Sequence, residues 1–280
     1  MSYKTILVHL HDNRRALRLL DAVVPIARHM SAHLIGLCVL PPFTVIPSTE
    51  VGGATVTVEE HRDAYRNEMA SLKDAFLAAT SNLGLQTEWR ETDAGLVTAA
   101  GLIVEQARAV DLVIASQQDH GWAYSRMLEE PGRIAIECGR PLLLVPNSGF
   151  ISVPARRITV AWNGRRESAR AVFDALPLLK LADNVNIVWI NPDGDRTMAG
   201  NLPTAEICAA LARHGVKCQG SQVSASGIDV GLELLRQAAA SGSELLVMGC
   251  YGHSRWREFI LGGASRDVLR EARLPVLLSH

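Results

Sequence analysis

Short runs of apolar, β-branched residues alternate along the chain with segments whose apolar positions recur every three to four residues. In the second half this pattern predicts strands at 158–162, 185–190, 216–223, 244–248 and 276–278. It predicts helices at 167–181, 203–214, 229–240 and 264–272. Runs such as "ELLVMG" are apolar on both faces, which suits a parallel sheet covered by crossover helices on each side. In such doubly wound sheets ligands bind beyond the carboxyl ends of the strands, where strand order reverses.

The pattern occurs twice. "YKTILVHLHDNRRALRLLDAVVPIARHM" near the start has a counterpart in "RRITVAWNGRRESARAVFDALPLLKLAD" after Pro154. "VDLVIASQQDH" pairs with "SELLVMGCYGH", and "GRIAIECGRPLLLVP" with "SRDVLREARLPVLLSH", at an offset near 133 residues. Internal self-similarity of this kind predicts two homologous domains, 1–147 and 155–280, joined through "NSGFISVPARR".

Composition narrows the function classes. The chain has 280 residues, 48% hydrophobic and 20% charged, with a formal net charge of -1. That lacks the cationic excess of a general nucleic-acid binder. The longest apolar runs, such as Pro141 to Val145, fall far short of the ~20 residues of a membrane span, so no membrane association is expected. Two histidines and an aspartate interrupt the apolar run in "MSYKTILVHLHDN", so no signal peptide and a cytoplasmic location are expected. Five scattered cysteines without C-x-x-C suggest neither a disulfide framework nor a zinc ribbon.

The candidate chemistry gathers in "LLVMGCYGHSRWREFILGGASRDVL". Gly249 and Gly252 follow an apolar strand, nine residues intervene, and Gly262 and Gly263 open a helix. Glycines let main-chain N–H groups approach a phosphate, and a helix start adds unpaired donors and partial positive charge. Ser265 adds a hydroxyl, and His253, Arg255 and Arg257 lie between the clusters. The alternative is that these glycines only turn the chain or end a short helix. No G-x-x-x-x-G-K-[ST] and no G-x-G-x-x-G after a first strand occurs, which disfavours Walker-type NTPases and dinucleotide dehydrogenases. Nor can a cation clamp and carboxylate for phosphoryl transfer be assigned.

With Gly249, Gly252, Gly262, Gly263 and Ser265, the chain resembles the universal stress protein family and its G-x2-G-x9-G-[S/T] adenine-nucleotide signature. The resemblance covers nearly all of both halves. It implies an α/β fold of two tandem Rossmann-like (adenine nucleotide alpha hydrolase-like) domains, each a five-stranded parallel sheet sandwiched by helices. It also implies ATP, alone or with Mg, in the C-terminal domain. The residues carried over are Ala161, Trp162, Asn163, Met248, Gly249, Gly252, His253, Gly262, Gly263, Ala264 and Ser265. Two positions depart from the pattern: Gly263 stands where a Ser or Thr is asked for, and Asn163 where an aspartate is common. Trp162 could stack on a ligand or plug the crevice. The terminal strands of the two halves are implied to pair, making an intramolecular pseudo-dimer, with a homodimer also open.

The first half has lost the motif: Ser116 and Asp119 stand opposite the first two glycines, Glu129 and Glu130 opposite the last two. Two carboxylates at a helix start would repel phosphate, so that half is read as a regulatory or interaction surface for unknown protein clients. His9, His11, Asp119 and His120 form an alternative metal set, although zinc is not the expectation. Cys250 is the thiol placed where a helix terminus or cations would lower its pKa. The Pro/Gly-punctuated stretch "LPPFTVIPSTEVGGATVTVEEH" suits a lid, a contact surface or a flexible connection. The reading overall is a stress-response protein that binds an adenine nucleotide and has no assigned catalytic residue. The alternatives are an interaction protein without nucleotide and a weak ATPase.

Overall fold

The computed structural model describes residues 2–42, 58–95, 97–190, 203–225, 227–250 and 263–280. In the first half, strands β1 (Thr5–His9), β2 (His33–Leu40), β3 (Thr87–Asp93), β4 (Leu112–Ser116) and β5 (Leu142–Val145) alternate with helices. These are α1 (Asn13–Met30), α2 (Val58–Thr80), α3 (Ala99–Ala107), α4 (Ser125–Leu128) and α5 (Pro131–Glu137). The second half supplies β6 (Arg157–Ala161), α6 (Arg166–Asp174), α7 (Leu176–Leu179), β7 (Asn184–Ile190) and α8 (Pro203–Arg213). It continues with β8 (Cys218–Val223), α9 (Val230–Ala240), β9 (Leu245–Gly249), α10 (Gly263–Glu271) and β10 (Val276–Ser279).

All ten strands form one sheet in the order β3-β2-β1-β4-β5-β10-β9-β6-β7-β8. Every pairing is parallel except β5 with β10, where Leu143 faces Leu277 in antiparallel register. The expected α/β architecture and the pairing of the two terminal strands are therefore both present. Each half reverses its strand order at its first strand, between β1 and β4 and between β6 and β9. Residues of β4, β5 and β10 are buried throughout, as strands covered on both faces require. Joining the halves at β5 and β10 hides the two edges that would otherwise offer unpaired backbone groups.

Local chemistry explains the helix limits. Asp12 caps α1 by accepting from Arg14 N at 2.9 Å, and Ser31 ends it in the left-handed region at φ 49°. The helix expected over 167–181 is instead two pieces. Pro177 has no N–H to donate into a continuing helix, so α6 closes at Asp174 and α7 restarts at Leu176. Among the described residues no helix is long and apolar enough to cross a membrane.

Candidate functional site

The switch point of the second half opens into a cavity of about 340 Å³, a size typical of small-molecule sites. Its apolar wall is a separate cluster of Val188, Ile190 and Leu234, packed with Ala161, Val223 and Ala225. Strand β7 and helix α9 therefore supply buried hydrocarbon side chains to the cavity lining. Trp162 borders the cavity without filling it. Its backbone N–H donates to Val188 O at 2.9 Å, which extends the β6–β7 ladder by one residue. Its indole Nε1 is buried and has no hydrogen-bond partner among the described residues. Next to it, Asn163 Oδ1 accepts from Arg165 N at 3.0 Å, so this oxygen closes the turn into α6.

Helix starts also line the cavity. Gly263, Ala264 and Ser265 of α10 line the cavity, and so do Glu167 and Ser168 of α6. The first turn of α10 carries no acidic residue, so the partial positive charge of its N–H groups is not neutralised from within. Glu167 is held below the usual carboxylate range: burial raises its pKa, but a backbone N–H and Arg166 outweigh this. Asp229, the residue preceding α9, also borders the cavity.

Gly249 has a different reason for being glycine from the two weighed on sequence. A Cβ there would lie 2.3 Å from the Glu167 carbonyl carbon and 2.5 Å from Ser168 N. The glycine lets the start of α6 rest directly on the end of β9. Gly231 does the same where α9 crosses α10, since its Cβ would lie 2.6 Å from Ala264 O. Gly263, by contrast, would place a Cβ with nothing within 4 Å among the described residues.

The structure thus brings Ala161, Trp162, Asn163, Met248, Gly249, Gly263, Ala264 and Ser265 to one cavity. Gly252, His253 and Gly262, with Arg255 and Arg257, lie outside the described residues, as does 43–57 of the proline- and glycine-punctuated stretch. Sequence reasoning missed the apolar wall and the α6 residues. The only hint of the wall was the run "VNIVWI", which reads equally well as ordinary core.

Cys250 corrects an expectation. It is fully buried, its Sγ donates to Ser279 O at 3.4 Å, and burial pushes its pKa up instead of down.

The corresponding crevice of the first half is sealed from within. Glu129 does not stand at a helix start to repel phosphate. It turns inward, 2% exposed, and forms an ion pair with Arg15. His11 Nε2 lies 2.9 Å from its Oε1, Ser116 Oγ donates to the same oxygen at 3.3 Å, and Asp119 N donates to Oε2 at 2.7 Å. Burial raises the Glu129 pKa, but His11, the Asp119 N–H and Arg15 bring it below the usual range. The chain's own carboxylate therefore occupies a site where cations and N–H donors converge. Trp122 closes the cluster from outside, its ring 5.2 Å from both the His11 ring and the Arg15 guanidinium.

Ser116, His11 and Glu129 do not make a nucleophilic relay. A relay needs hydroxyl and acid on opposite imidazole nitrogens, and here both address Nε2 in a buried setting. The alternative metal set is also dispersed. His9 and His11 stack at 4.7 Å, Asp119 Oδ1 accepts from Gly121 N, His120 is exposed, and among the described residues no group of three ligands is placed to hold an ion.

His9 is 1% exposed, and its Nε2 lacks a partner among the described residues. Burial, and then the neighbouring His11 and Arg15, hold its pKa well below 6.5. The unfolded chain therefore takes up a proton near pH 6.5 that the folded chain refuses. The contribution is complete above that value and is lost as pH falls. We expect unfolding free energy, measured by urea titration, to decline by about 1.4 kcal/mol per pH unit below 6.5 from this residue. His9→Leu removes that component of the slope, and an unchanged slope refutes the assignment. Glu129 acts in the same direction at lower pH, since its depressed pKa places its loss below 4.5.

Residues 154–280 match the model of the universal stress protein family. No curated protein sequence matches the chain. In fold, it is similar to a universal stress protein from Archaeoglobus fulgidus, with a TM-score of 0.72 and 14% identity over 98% of this chain and 95% of that one. It is also similar to a functionally unknown protein from Pseudomonas aeruginosa, with a TM-score of 0.61 and 15% identity over 99% and 92% of the two chains. Residues 154–280 are therefore similar to the universal stress protein family, and the whole chain shares the fold of the solved proteins above.

Proposed function

We infer that the second half binds an adenine nucleotide, ATP, in the cavity between β6 and β9, and that the protein acts in stress response as a binding protein. The observation that carries this reading is that two chemically distinct sets of residues line one cavity. The Val188, Ile190 and Leu234 wall suits the face of a base, and the indole N–H of Trp162, which has no partner among the described residues, suits an acceptor on the ligand. The start of α10 offers N–H donors to phosphate, with Ser265 in the same turn. Among the described residues, Glu167 and Asp229 are the carboxylates that line the cavity, and so those available toward a nucleotide's magnesium. The first half, with its crevice occupied by Glu129, is read as a regulatory and interaction surface.

Isothermal titration with magnesium-ATP tests this. Gly263→Asp is the informative variant, because a Cβ there meets nothing within 4 Å among the described residues and an acidic first turn stabilises a helix. Wild type is expected to bind, and Gly263→Asp to bind about ten-fold more weakly with no loss of thermal stability, equivalent to about 1.4 kcal/mol. Equal heats from both proteins, or none from wild type, would abandon the reading in favour of an interaction protein without nucleotide.

A further inference from the structure

Two of the helices that begin at the cavity, α6 and α10, end against the other half of the molecule. At the last residue of α6, Tyr3 Oη donates to Asp174 O at 2.6 Å, and Tyr3 is 4% exposed. At the end of α10, Gln117 Nε2 donates to Leu269 O at 3.0 Å, Arg270 O at 2.9 Å and Ala272 O at 3.4 Å. The last carbonyls of a helix have no partner inside it, so an amide placed here satisfies groups that the second half leaves open. Gln117 has one consistent orientation, because its Oε1 accepts from Asn147 N at 3.0 Å while the carbonyls require donors.

Gln117 is itself held. Arg15 Nη1 donates to Gln117 O at 3.3 Å and to Asn147 Oδ1 at 3.2 Å, and the same guanidinium pairs with Asp12 and Glu129. A continuous polar chain therefore runs from the sealed crevice of the first half to the carboxyl end of α10. The helix is nine residues long, a rod of roughly 13 Å, and its other end lines the cavity.

We propose that the first half sets the position of α10 through Gln117, and thereby tunes how tightly the second half holds the phosphates of its nucleotide. This rests on the nucleotide reading above. Gln117 is a positioning residue: it touches no ligand and acts through the helix. Tyr3 does the same for α6. In the first half, Ser116 and Glu129 close the crevice, and Gln117, the next residue after β4, reaches across to α10.

Adenosine and ATP separate this role from a general structural one. The β7 part of the base wall, Val188 and Ile190, is held in the sheet by β6 and β8, whereas the phosphate end is the start of α10 itself. Titration of the full chain with both ligands is expected to show Gln117→Leu and Gln117→Glu weakening ATP about five-fold or more, with adenosine unchanged. Gln118→Ala serves as the neighbouring control and should match wild type. In the wild-type protein, the Gln117 side-chain amide resonances should move on adding ATP and stay in place on adding adenosine, a measurement that needs no variant to fold. Variants that bind ATP as wild type does, or lose both ligands equally, or wild-type resonances that ignore ATP, overturn the proposal. A wild type that binds ATP while the variants show no difference removes only this inference, whereas a wild type that binds neither ligand removes the nucleotide reading with it.

Discussion

Glu129→Ala is expected to lower the unfolding free energy by about 3–5 kcal/mol, the range found when one partner of a buried ion pair is removed. That corresponds to roughly 10 °C in melting temperature for a chain of this size. The carboxylate is 2% exposed and accepts from Asp119 N and Ser116 Oγ while pairing with Arg15 and His11. Without it, Arg15 keeps Asp12, but Asp119 N and Ser116 Oγ lose their carboxylate acceptor. The double variant Arg15→Met, Glu129→Leu removes charge and countercharge together and should recover part of the loss. Chemical denaturation of the four proteins of that cycle measures the coupling. A Glu129→Ala protein as stable as wild type would mean that the cluster is hydrated and the first crevice open.

Gly249→Ala is the second large effect, with an expected cost of about 3 kcal/mol from overpacking. The added methyl would sit 2.3 Å from backbone of Glu167, and backbone at a helix start cannot swing aside as a flexible side chain can. The start of α6 must lift from β9, moving Glu167 and Ser168 at the cavity wall. Thermal denaturation is expected to show the loss before any ligand is added. If the variant melts within a degree or two of wild type, the close contact is not a constraint on the fold. Gly249 is accordingly a poor probe of phosphate binding, since packing and binding would fail together.

Much of the architecture was legible in the chain. "VDLVIAS" and "SELLVMG" are apolar on both faces, and β4 and β9 are the two buried strands adjoining the switch points. The helix spans were read closely at α8 and α9, where periodicity is regular, and too far at 167–181, where apolar spacing continued through Pro177 although the hydrogen-bond ladder did not. The cavity was legible where a residue type has few other uses, as with a glycine or serine at a helix start. Its apolar wall was not, because Val188, Ile190 and Leu234 look in sequence like any other core residues.

Apolar period, turn residues and internal repetition belong to local stretches, and each stretch reports which of its own faces must leave water. The sequence alone therefore determined the alternation of strands and helices, the duplication and the glycine-rich helix start. Only the tertiary structure decided that Glu129 points inward to Arg15, that Gly249 lies under α6, and that Gln117 holds the end of α10 across 152 residues of chain. Contacts at such separations depend on how whole elements dock, and a carboxylate, a glycine or an amide looks the same in sequence whichever neighbour the docking brings to it.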